Sequence, residues 1–265
     1  MKLLFSEYSS DYDNYIFPYA IWAIPDIGEA PATIFARGFL PASRNLDRFY
    51  MCRQVRAKLS EFERSSENRR ILRKCDNVSL QLIPREDFAY TDERRNFYKK
   101  YADEKFGKDK MSFDRLDSLF NSAITSHVIL FTDTSTGKEV GTVTLYLEPK
   151  QLVFYYYAFY DLDYYAKNLG MYMMTSTVDY FAGEQFEFIY LGSCYSRNAL
   201  YKTQFKGAEF FNGVCWSDNI AELKYLIERD TQTVTNHLLE EEAFYNTFYD
   251  ADKDSLLAHS LFHVD

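Results

Sequence analysis

The residues best suited to chemistry lie at two predicted strand ends in the middle of the chain. The aromatic and β-branched run 152–160 is typical of a half-buried strand, and Asp161 follows it directly. The short run 188–191 predicts a second strand, which Gly192 stops. A helix-like segment separates the two, so they should be parallel neighbours whose carboxyl ends border a crevice. We therefore expect Tyr160, Asp161, Leu191 and Gly192 to lie at that crevice.

The elements that must position these residues follow from hydrophobic periodicity. Helices are expected at 68–74, 91–105, 112–122, 169–183 and 197–205. Further strands are expected at 49–59, 78–84, 127–131 and 140–147. From residue 78 onwards the order is strand, two helices, three strands, helix, strand, helix, which resembles the GNAT-like acyltransferase fold. The predicted fold class is α+β (α/β), a GNAT-like acyltransferase domain with a mixed central sheet flanked by helices.

Three parts of different composition are predicted. Residues 1–75 form an N-terminal β-rich segment with a basic stretch, 76–216 the GNAT-like transferase domain, and 217–265 a helical acidic C-terminal appendage whose first helix Ser217 caps. The chain has a net charge of −9, yet residues 44–74 carry +6. A basic segment in an acidic protein can still bind phosphates, because the local field steers a polyanion to one face. A solvated basic surface is the alternative.

The composition argues against several classes of protein. Four widely spaced cysteines without a CxxC pair are typical of reduced thiols, which predicts a cytoplasmic protein. His259 and His263 are four residues apart but have no attendant carboxylate, so no metal site is predicted. No stretch approaches the ~20 apolar residues needed to cross a bilayer, so we expect no membrane partner.

The turn at 167–172 bears on a nucleotide cofactor. A GNAT enzyme binds the pyrophosphate of acetyl-CoA on backbone N–H groups at a Gly-rich helix start. Here Gly170 remains where two small residues would be wanted, and Tyr172 takes the second position. A ring there is expected to obstruct close approach to the backbone. We therefore predict no cofactor, with a CoA-dependent GNAT N-acetyltransferase kept as an alternative.

Six short motifs follow one another between residues 36 and 216. They are Arg37-Gly38-Phe39, Phe62-Glu63-Arg64-Ser65 with Arg69-Arg70, Tyr155-Tyr156-Tyr157 through Tyr160-Asp161, Leu169-Gly170-Met171-Tyr172, Phe188-Ile189-Tyr190-Leu191-Gly192, and Tyr201-Lys202-Thr203-Gln204-Phe205 with Glu209. Together and in this order they resemble the arginyl-tRNA–protein transferases and their bacterial leucyl-tRNA relatives. Cys52 is the only apparent remnant of that family's amino-terminal cysteine cluster.

The resemblance implies an aminoacyl-tRNA–protein transferase. Such an enzyme moves an amino acid (Arg or Leu) from charged tRNA to the N-terminal amine of an acceptor protein, typically one that begins with Asp or Glu. The implied catalytic residues are Asp161, which would orient or deprotonate the ammonium, and Tyr160 and Tyr190, which would donate to the oxyanion or stack on the terminal adenine. The implied tRNA- or acceptor-binding residues are Arg69, Arg70, Tyr201, Lys202, Gly170 and Gly192.

Other interpretations of the same residues stay open. Asp161 could simply cap a turn, and Tyr160 and Tyr190 could be ordinary core residues. The chain as a whole could be a non-catalytic binding module, a transferase-like scaffold that recognises acidic N-termini or RNA.

Overall fold

The computed structural model describes residues 1–234 and 236–262. The strands are β1 (Lys2–Glu7), β2 (Tyr19–Ile24), β3 (Phe39–Pro41), β4 (Phe49–Met51), β5 (Gln54–Lys58), β6 (Val78–Pro84), β7 (His127–Asp133), β8 (Lys138–Glu148), β9 (Leu152–Tyr160), β10 (Phe188–Ser193), β11 (Ala208–Phe211) and β12 (Trp216–Ser217). The α-helices are α1 (Pro31–Ala36), α2 (Ser66–Lys74), α3 (Asp92–Phe106), α4 (Phe113–Phe120), α5 (Leu169–Gly183), α6 (Ile220–Arg229), α7 (Glu242–Phe248) and α8 (Lys253–Ala258).

The chain divides into two compact units. Unit 1 comprises Met1–Arg56, Ser193–Gln204 and Ala208–Asp265, and unit 2 comprises Ala57–Gly192 and Phe205–Gly207. The division falls within β5. The three-part division 1–75, 76–216 and 217–265 concerns composition and role rather than compactness, and it stays a prediction.

Unit 2 contains the sheet that carries Asp161. Its strand order is β10-β9-β8-β7-β6. The pairs from β6 to β9 are antiparallel, and β9 pairs with β10 in parallel, as the strand–helix–strand pattern predicted. The predicted bounds of β6, β9 and α5 agree with the structure.

Helices cover both faces of this sheet. Adjacent residues of a strand face opposite sides of the sheet, so Thr142 and Gly141 of β8 lie on opposite faces. Tyr98 of α3 donates a hydrogen bond to Thr142 Oγ1 at 2.9 Å. A Cβ added to Gly141 would lie 2.6 Å from the sulfur of Met173 on α5, so the absence of a side chain there allows α5 to approach. The predicted α+β fold class, a mixed sheet flanked by helices in a GNAT-like order, is confirmed.

Local capping explains where two helices of unit 2 begin. Ser65 accepts the Asn68 N–H while the Asn68 side chain accepts the Ser65 N–H, a capping box that starts α2. The predicted cap Thr91 accepts the Arg94 N–H and starts α3.

Unit 1 is built on a four-stranded antiparallel sheet of order β1-β2-β4-β3. Elsewhere in this unit β11 and β12 pair antiparallel. Arg56 and Glu209 form a buried ion pair, and the Arg56 guanidinium lies 3.8 Å from the Trp216 ring centroid. The charge of Arg56 is thus satisfied by a carboxylate and an aromatic face.

Three sequence predictions in unit 1 are corrected. The single strand 49–59 is wrong, because the Arg53 N–H donates to the Tyr195 hydroxyl at 2.8 Å and the run splits into β4 and β5. The predicted cap Ser217 is wrong, because Asn219 accepts the first N–H groups of α6. The segment predicted as a helix over 197–205 is a 3₁₀ helix, Arg197–Thr203.

Within residues 1–234 and 236–262, no helix is long and apolar enough to cross a membrane.

Candidate active site

A cavity of about 370 Å³ opens in unit 2 where β9 ends. Its aromatic lining is contributed by Phe97, Tyr101 and Tyr160. The remaining lining is Leu162 together with charged residues, namely Lys100, Glu104, Lys138, Glu139, Asp161 and Asp163. Two of the three predicted catalytic residues, Tyr160 and Asp161, therefore lie in one cavity.

The Asp161 carboxylate is held in its ionised form. It accepts a hydrogen bond from Lys138 Nζ at 2.5 Å and another from the Asp163 N–H at 3.0 Å. Burial by itself would raise the pKa of Asp161, but these two bonds and the charge of Lys138 together hold it below the ordinary value of 3.8. A carboxylate with a low pKa is a weak base, so its chemistry here is to bind a cation rather than to remove a proton.

A second carboxylate fixes the turn that follows Asp161. Asp133, at the end of β7, accepts hydrogen bonds from the Tyr164 hydroxyl at 2.7 Å, from Asn77 Nδ2 at 2.7 Å and from the Ser135 hydroxyl at 2.6 Å. These bonds hold the pKa of Asp133 well below its usual range, and the bond to Asp133 raises the pKa of Tyr164 to about 12. The turn is thereby tied to the β7–β8 hairpin.

The aromatic side of the cavity depends on a glycine. The rings of Tyr101 and Tyr160 lie 4.8 Å apart between centroids. A Cβ added to Gly170, in the first turn of α5, would lie 2.9 Å from the Tyr160 ring. Gly170 therefore lets α5 begin directly against Tyr160, a packing role that the sequence did not predict. Its predicted role in binding stays a prediction.

The expected obstruction by Tyr172 is wrong. Its ring is 7% exposed and packs edge-on against Phe131, and its hydroxyl donates to the Val78 carbonyl. The ring is directed into the core of unit 2, so it does not itself cover the 167–172 turn. Tyr172 therefore does not block a CoA site at this turn.

Tyr190 does not join Asp161 in the cavity. The parallel register pairs Tyr190 with Phe154, whereas Asp161 lies seven residues further along the other strand. At about 3.3 Å per residue this offset is roughly 20 Å. The crevice expected between the two strand ends therefore does not bring Tyr190 and Asp161 together, because Tyr190 lies three residues before the end of β10 and β9 extends about three residues beyond that end. Tyr190 is also only 2% exposed, which rules out the predicted stacking on an adenine.

Gly192, the residue before the last one of β10, has a conformation that suits glycine, so the strand continues one residue beyond the predicted stop. Its φ of 83° lies in the left-handed region, where a side chain would be strained. The predicted binding role of Gly192 is left as a prediction.

The two arginines predicted to bind tRNA or the acceptor, Arg69 and Arg70, lie on the surface of unit 2. Arg70 forms an ion pair with Glu67, and Arg69 donates to the Arg64 carbonyl at 2.6 Å. Both arginines are exposed, and α2 also presents Arg73 and Lys74. Helix α2 packs against α5, so the basic residues are held on a rigid element.

Lys202 and Tyr201 belong to unit 1. Lys202 Nζ donates to the Ser193 carbonyl at 2.8 Å, and burial lowers the pKa of this lysine. Tyr201 is 45% exposed. The predicted site residues thus fall into several local groups, of which the cavity around Asp161 is one.

The sequence missed most of the cavity wall. Four residues of α3 form one face of that helix, because Phe97 and Tyr101 are four residues apart and so are Lys100 and Glu104, and this spacing can be seen in the sequence. Lys138 gave no such signal, since it is one charged residue beside a hairpin turn.

Neither metal ligation nor a reactive thiol is evident in the part of the chain that the structure describes. Residues 1–234 and 236–262 contain no group of three or more His, Cys, Asp or Glu arranged to bind a metal ion. His263, half of the His259 and His263 pair, lies outside the described residues. All four cysteines are unpaired and buried, and burial raises the pKa of Cys52 to about 12. Burial also raises the pKa of Cys194, so neither thiol suits a nucleophile.

No family model matches the chain. It is 23% identical over 176 residues to an aspartate/glutamate leucyltransferase from Cereibacter sphaeroides, with 63% of this chain and 62% of the relative covered. It is 24% identical over 187 residues to an aspartate/glutamate leucyltransferase from another strain, covering 65% and 66%. The chain thus spans less than two thirds of the length of these relatives. The similarity agrees with the transferase resemblance of the motifs.

Among solved structures, the chain is similar to the C-terminal domain of a protein described as a lysylphosphatidylglycerol synthetase from Agrobacterium fabrum. That likeness has a TM-score of 0.44 and 14% identity, and covers 54% of this chain and 46% of the other. FemX gives a TM-score of 0.41 at 9% identity, covering 54% and 53%. A GCN5-related N-acetyltransferase from Sphaerobacter thermophilus gives 0.34 at 13% identity, covering 67% and 53%. At these scores the likenesses carry no argument about function.

Proposed function

We propose that the protein is an aminoacyl-tRNA–protein transferase, which moves Arg or Leu from charged tRNA to the N-terminal amine of an acceptor that begins with Asp or Glu. The observation that carries the proposal is the ionised Asp161 in an aromatic-lined cavity. Such a cavity suits an organic ammonium, because the carboxylate supplies the opposite charge and the rings supply a π-face. The similarity to the leucyltransferases supports the same class of reaction.

The reaction that this class performs is aminolysis of an ester. The neutral amine attacks the carbonyl carbon of the aminoacyl ester, and the bond to the ribose oxygen breaks. The amine loses a proton and the ribose oxygen gains one, so no covalent enzyme intermediate is needed. That is consistent with a chain whose cysteine thiols have raised pKa values.

The roles of individual residues follow from their surroundings. Asp161 holds the ammonium of the acceptor close to the ester before the amine loses its proton, with Tyr160 as a neighbouring hydrogen-bond donor. Arg69 and Arg70 bind tRNA phosphates from the exposed face of α2. The proposal includes a cytoplasmic location, supported by the unpaired state of the four cysteines.

The test is transfer of radiolabelled Arg or Leu from purified charged tRNA to peptides that begin with Asp, Glu or Ala. We expect label on the Asp and Glu peptides and little on the Ala peptide. A parallel reaction with labelled acetyl-CoA tests the alternative acetyltransferase function, since the buried ring of Tyr172 does not cover the turn before α5. Label from acetyl-CoA and none from either tRNA would overturn the proposal.

A further inference from the structure

Gln54 is buried without any visible reason for its polarity. The residue is 0% exposed, and in the part of the chain that the structure describes neither its Nε2 nor its Oε1 has a hydrogen-bond partner. A buried amide without partners loses its hydration and gains nothing in return. Leucine or methionine would fill the same space at lower cost. A donor and an acceptor kept at such a position indicate a ligand that completes them.

Lys202 and the segment around Gln54 are both bonded to residues 193–194 of unit 1. Its Nζ donates to the Ser193 carbonyl at 2.8 Å, while the N–H of the next residue, Cys194, donates to the Arg53 carbonyl at 2.8 Å. Arg53 directly precedes Gln54. The amine of Lys202 and the start of β5 are therefore both held by residues 193–194.

The positive charge of Lys202 has no carboxylate partner among the described residues. Its closest electrostatic neighbours are the thiols of Cys52 and Cys194, and burial raises the pKa of both, so they are neutral. Arg56 shows the contrast: it projects from the same face of β5 as Gln54 but is paired with Glu209. The buried cation Arg56 is thus matched by an acid of the chain, whereas the partly buried Lys202 is not.

We propose that Lys202 and Gln54 form a binding site for a small carboxylate. One carboxylate oxygen accepts from the Lys202 ammonium and the other from Gln54 Nε2, both strong hydrogen bonds to an ionised acceptor. Gln54 Oε1 remains to accept an N–H of the same ligand, which favours an amino-acid-like acid. A polyanion is a poorer match, because it is bound by several exposed bases rather than by one partly buried amine.

If the proposed transferase function holds, the carboxylate belongs to an acidic side chain of the acceptor. Binding can be measured without that assumption, by titration calorimetry with no tRNA present. The probes are the dipeptides Glu-Ala and Gln-Ala, both with amidated C-termini so that they differ only in the charge of the first side chain, and glutarate as a free dicarboxylic acid. Binding of Glu-Ala assigns the site to the acceptor, whereas binding of glutarate alone assigns it to a free acid.

The variants are Lys202→Met and Gln54→Leu, with Lys224→Met as a control that removes an exposed lysine of α6 in the same unit. We expect wild type to bind Glu-Ala roughly tenfold or more tightly than Gln-Ala, and Lys202→Met to abolish that preference. Gln54→Leu should weaken binding of the acid while the melting temperature stays equal or rises, because an unpartnered amide is removed.

Absence of binding of both Glu-Ala and glutarate to the wild-type protein would overturn the proposal. So would an unchanged preference in Lys202→Met, or a lower melting temperature with intact binding in Gln54→Leu. Acid binding without aminoacyl transfer would count only against the transferase function, and transfer without acid binding only against this site.

Discussion

At Asp161, hydrogen bonds from Lys138 and from the Asp163 N–H outweigh the effect of burial on the carboxyl group, so its pKa is lowered. The immediate consequence is that the carboxylate is charged at every pH at which a peptide amine reacts. Lys138 is 54% exposed, so a substrate ammonium can compete with it for the carboxylate. Asp161 is therefore better suited to positioning a cation than to proton abstraction.

Asp161→Asn tests that role. The amide keeps the shape and can still accept the Asp163 N–H, but it loses the charge that holds an ammonium. We expect transfer to fall roughly 10²-fold, the scale expected for a misplaced reactant, with little change in melting temperature. Asp179→Asn is the matched control, since Asp179 is also an ion-paired carboxylate of unit 2 but lies on α5 outside the cavity. Near-full transfer activity in the Asp161→Asn variant would show that Asp161 only caps the turn.

The pH dependence of kcat gives an independent measurement of the same contact. A peptide α-amine has a pKa of about 8 and must be neutral to attack, so the rate should rise with pH through that region. Because ionised Asp161 stabilises the ammonium, it raises the pKa of the bound amine and moves the rise to higher pH. In the Asp161→Asn variant, the midpoint of the rise of kcat with pH should therefore move to lower pH. Coincident profiles would show that Asp161 does not contact the amine.

At the scale of elements, the site depends on three connections around the end of β9. Helix α3 supplies one wall of the cavity, the start of α5 packs against Tyr160 through Gly170, and the turn after Asp161 is tied to β7 through Asp133. The connections made by α3 and by Asp133 join elements that are distant along the chain. Damage to any of them should move Asp161 without touching it.

Asp133→Asn tests the connection between β7 and the turn. The folded protein lowers the pKa of Asp133, so its ionised form contributes stability above the ordinary pKa of 3.8, and this contribution is lost as the pH falls through the lower folded value. We expect the variant to melt below wild type at pH 7, with the gap shrinking under strongly acidic conditions. A gap independent of pH would mean that the charge of Asp133 is irrelevant.

The basic face of α2 makes a separate prediction about tRNA. If Arg69 and Arg70 bind phosphates, binding of tRNA should weaken steeply with salt, and replacing both by alanine should reduce the slope of log K against log salt by roughly 1 to 2. Lys108→Ala with Lys110→Ala removes the same charge from an exposed loop elsewhere and should leave the slope unchanged. An equal slope in the Arg69 and Arg70 double variant would remove α2 from the tRNA-binding surface.

At the scale of the whole molecule, the chain is acidic but contains a basic stretch. Its cysteines do not form part of a metal-binding cluster in the described residues. The cysteine positions are spread over buried sites, and Cys52 is the only apparent remnant of the cluster implied by the resemblance. The described residues thus offer no ready set of metal ligands.

We expect the purified protein to carry no stoichiometric zinc or iron and to keep full transfer activity after dialysis against a chelator. A structural metal site normally uses four protein ligands, and its removal usually unfolds the domain around it. Elemental analysis and the melting temperature before and after chelation check this. About one metal ion per chain would contradict it.

Local interactions explain why much of the fold could be read from the sequence. The bounds of β9 and α5 follow from periodicity, and Ser65 and Thr91 start their helices through bonds to residues three positions ahead. The parallel pairing of β9 with β10 follows from the crossover between them. All of these depend on groups close in sequence or on chain handedness, which the order of residues determines.

Only tertiary packing decided which residues meet at the site. The sequence placed Tyr190 beside Asp161, but the register offset separates them, and Lys138 and the face of α3 take that place instead. Likewise, the burial of Gln54 without a partner has no signature along the chain. Strand register, the relative lengths of neighbouring strands and the partners of a buried polar group are set by contacts between distant segments, and a single sequence does not specify those contacts.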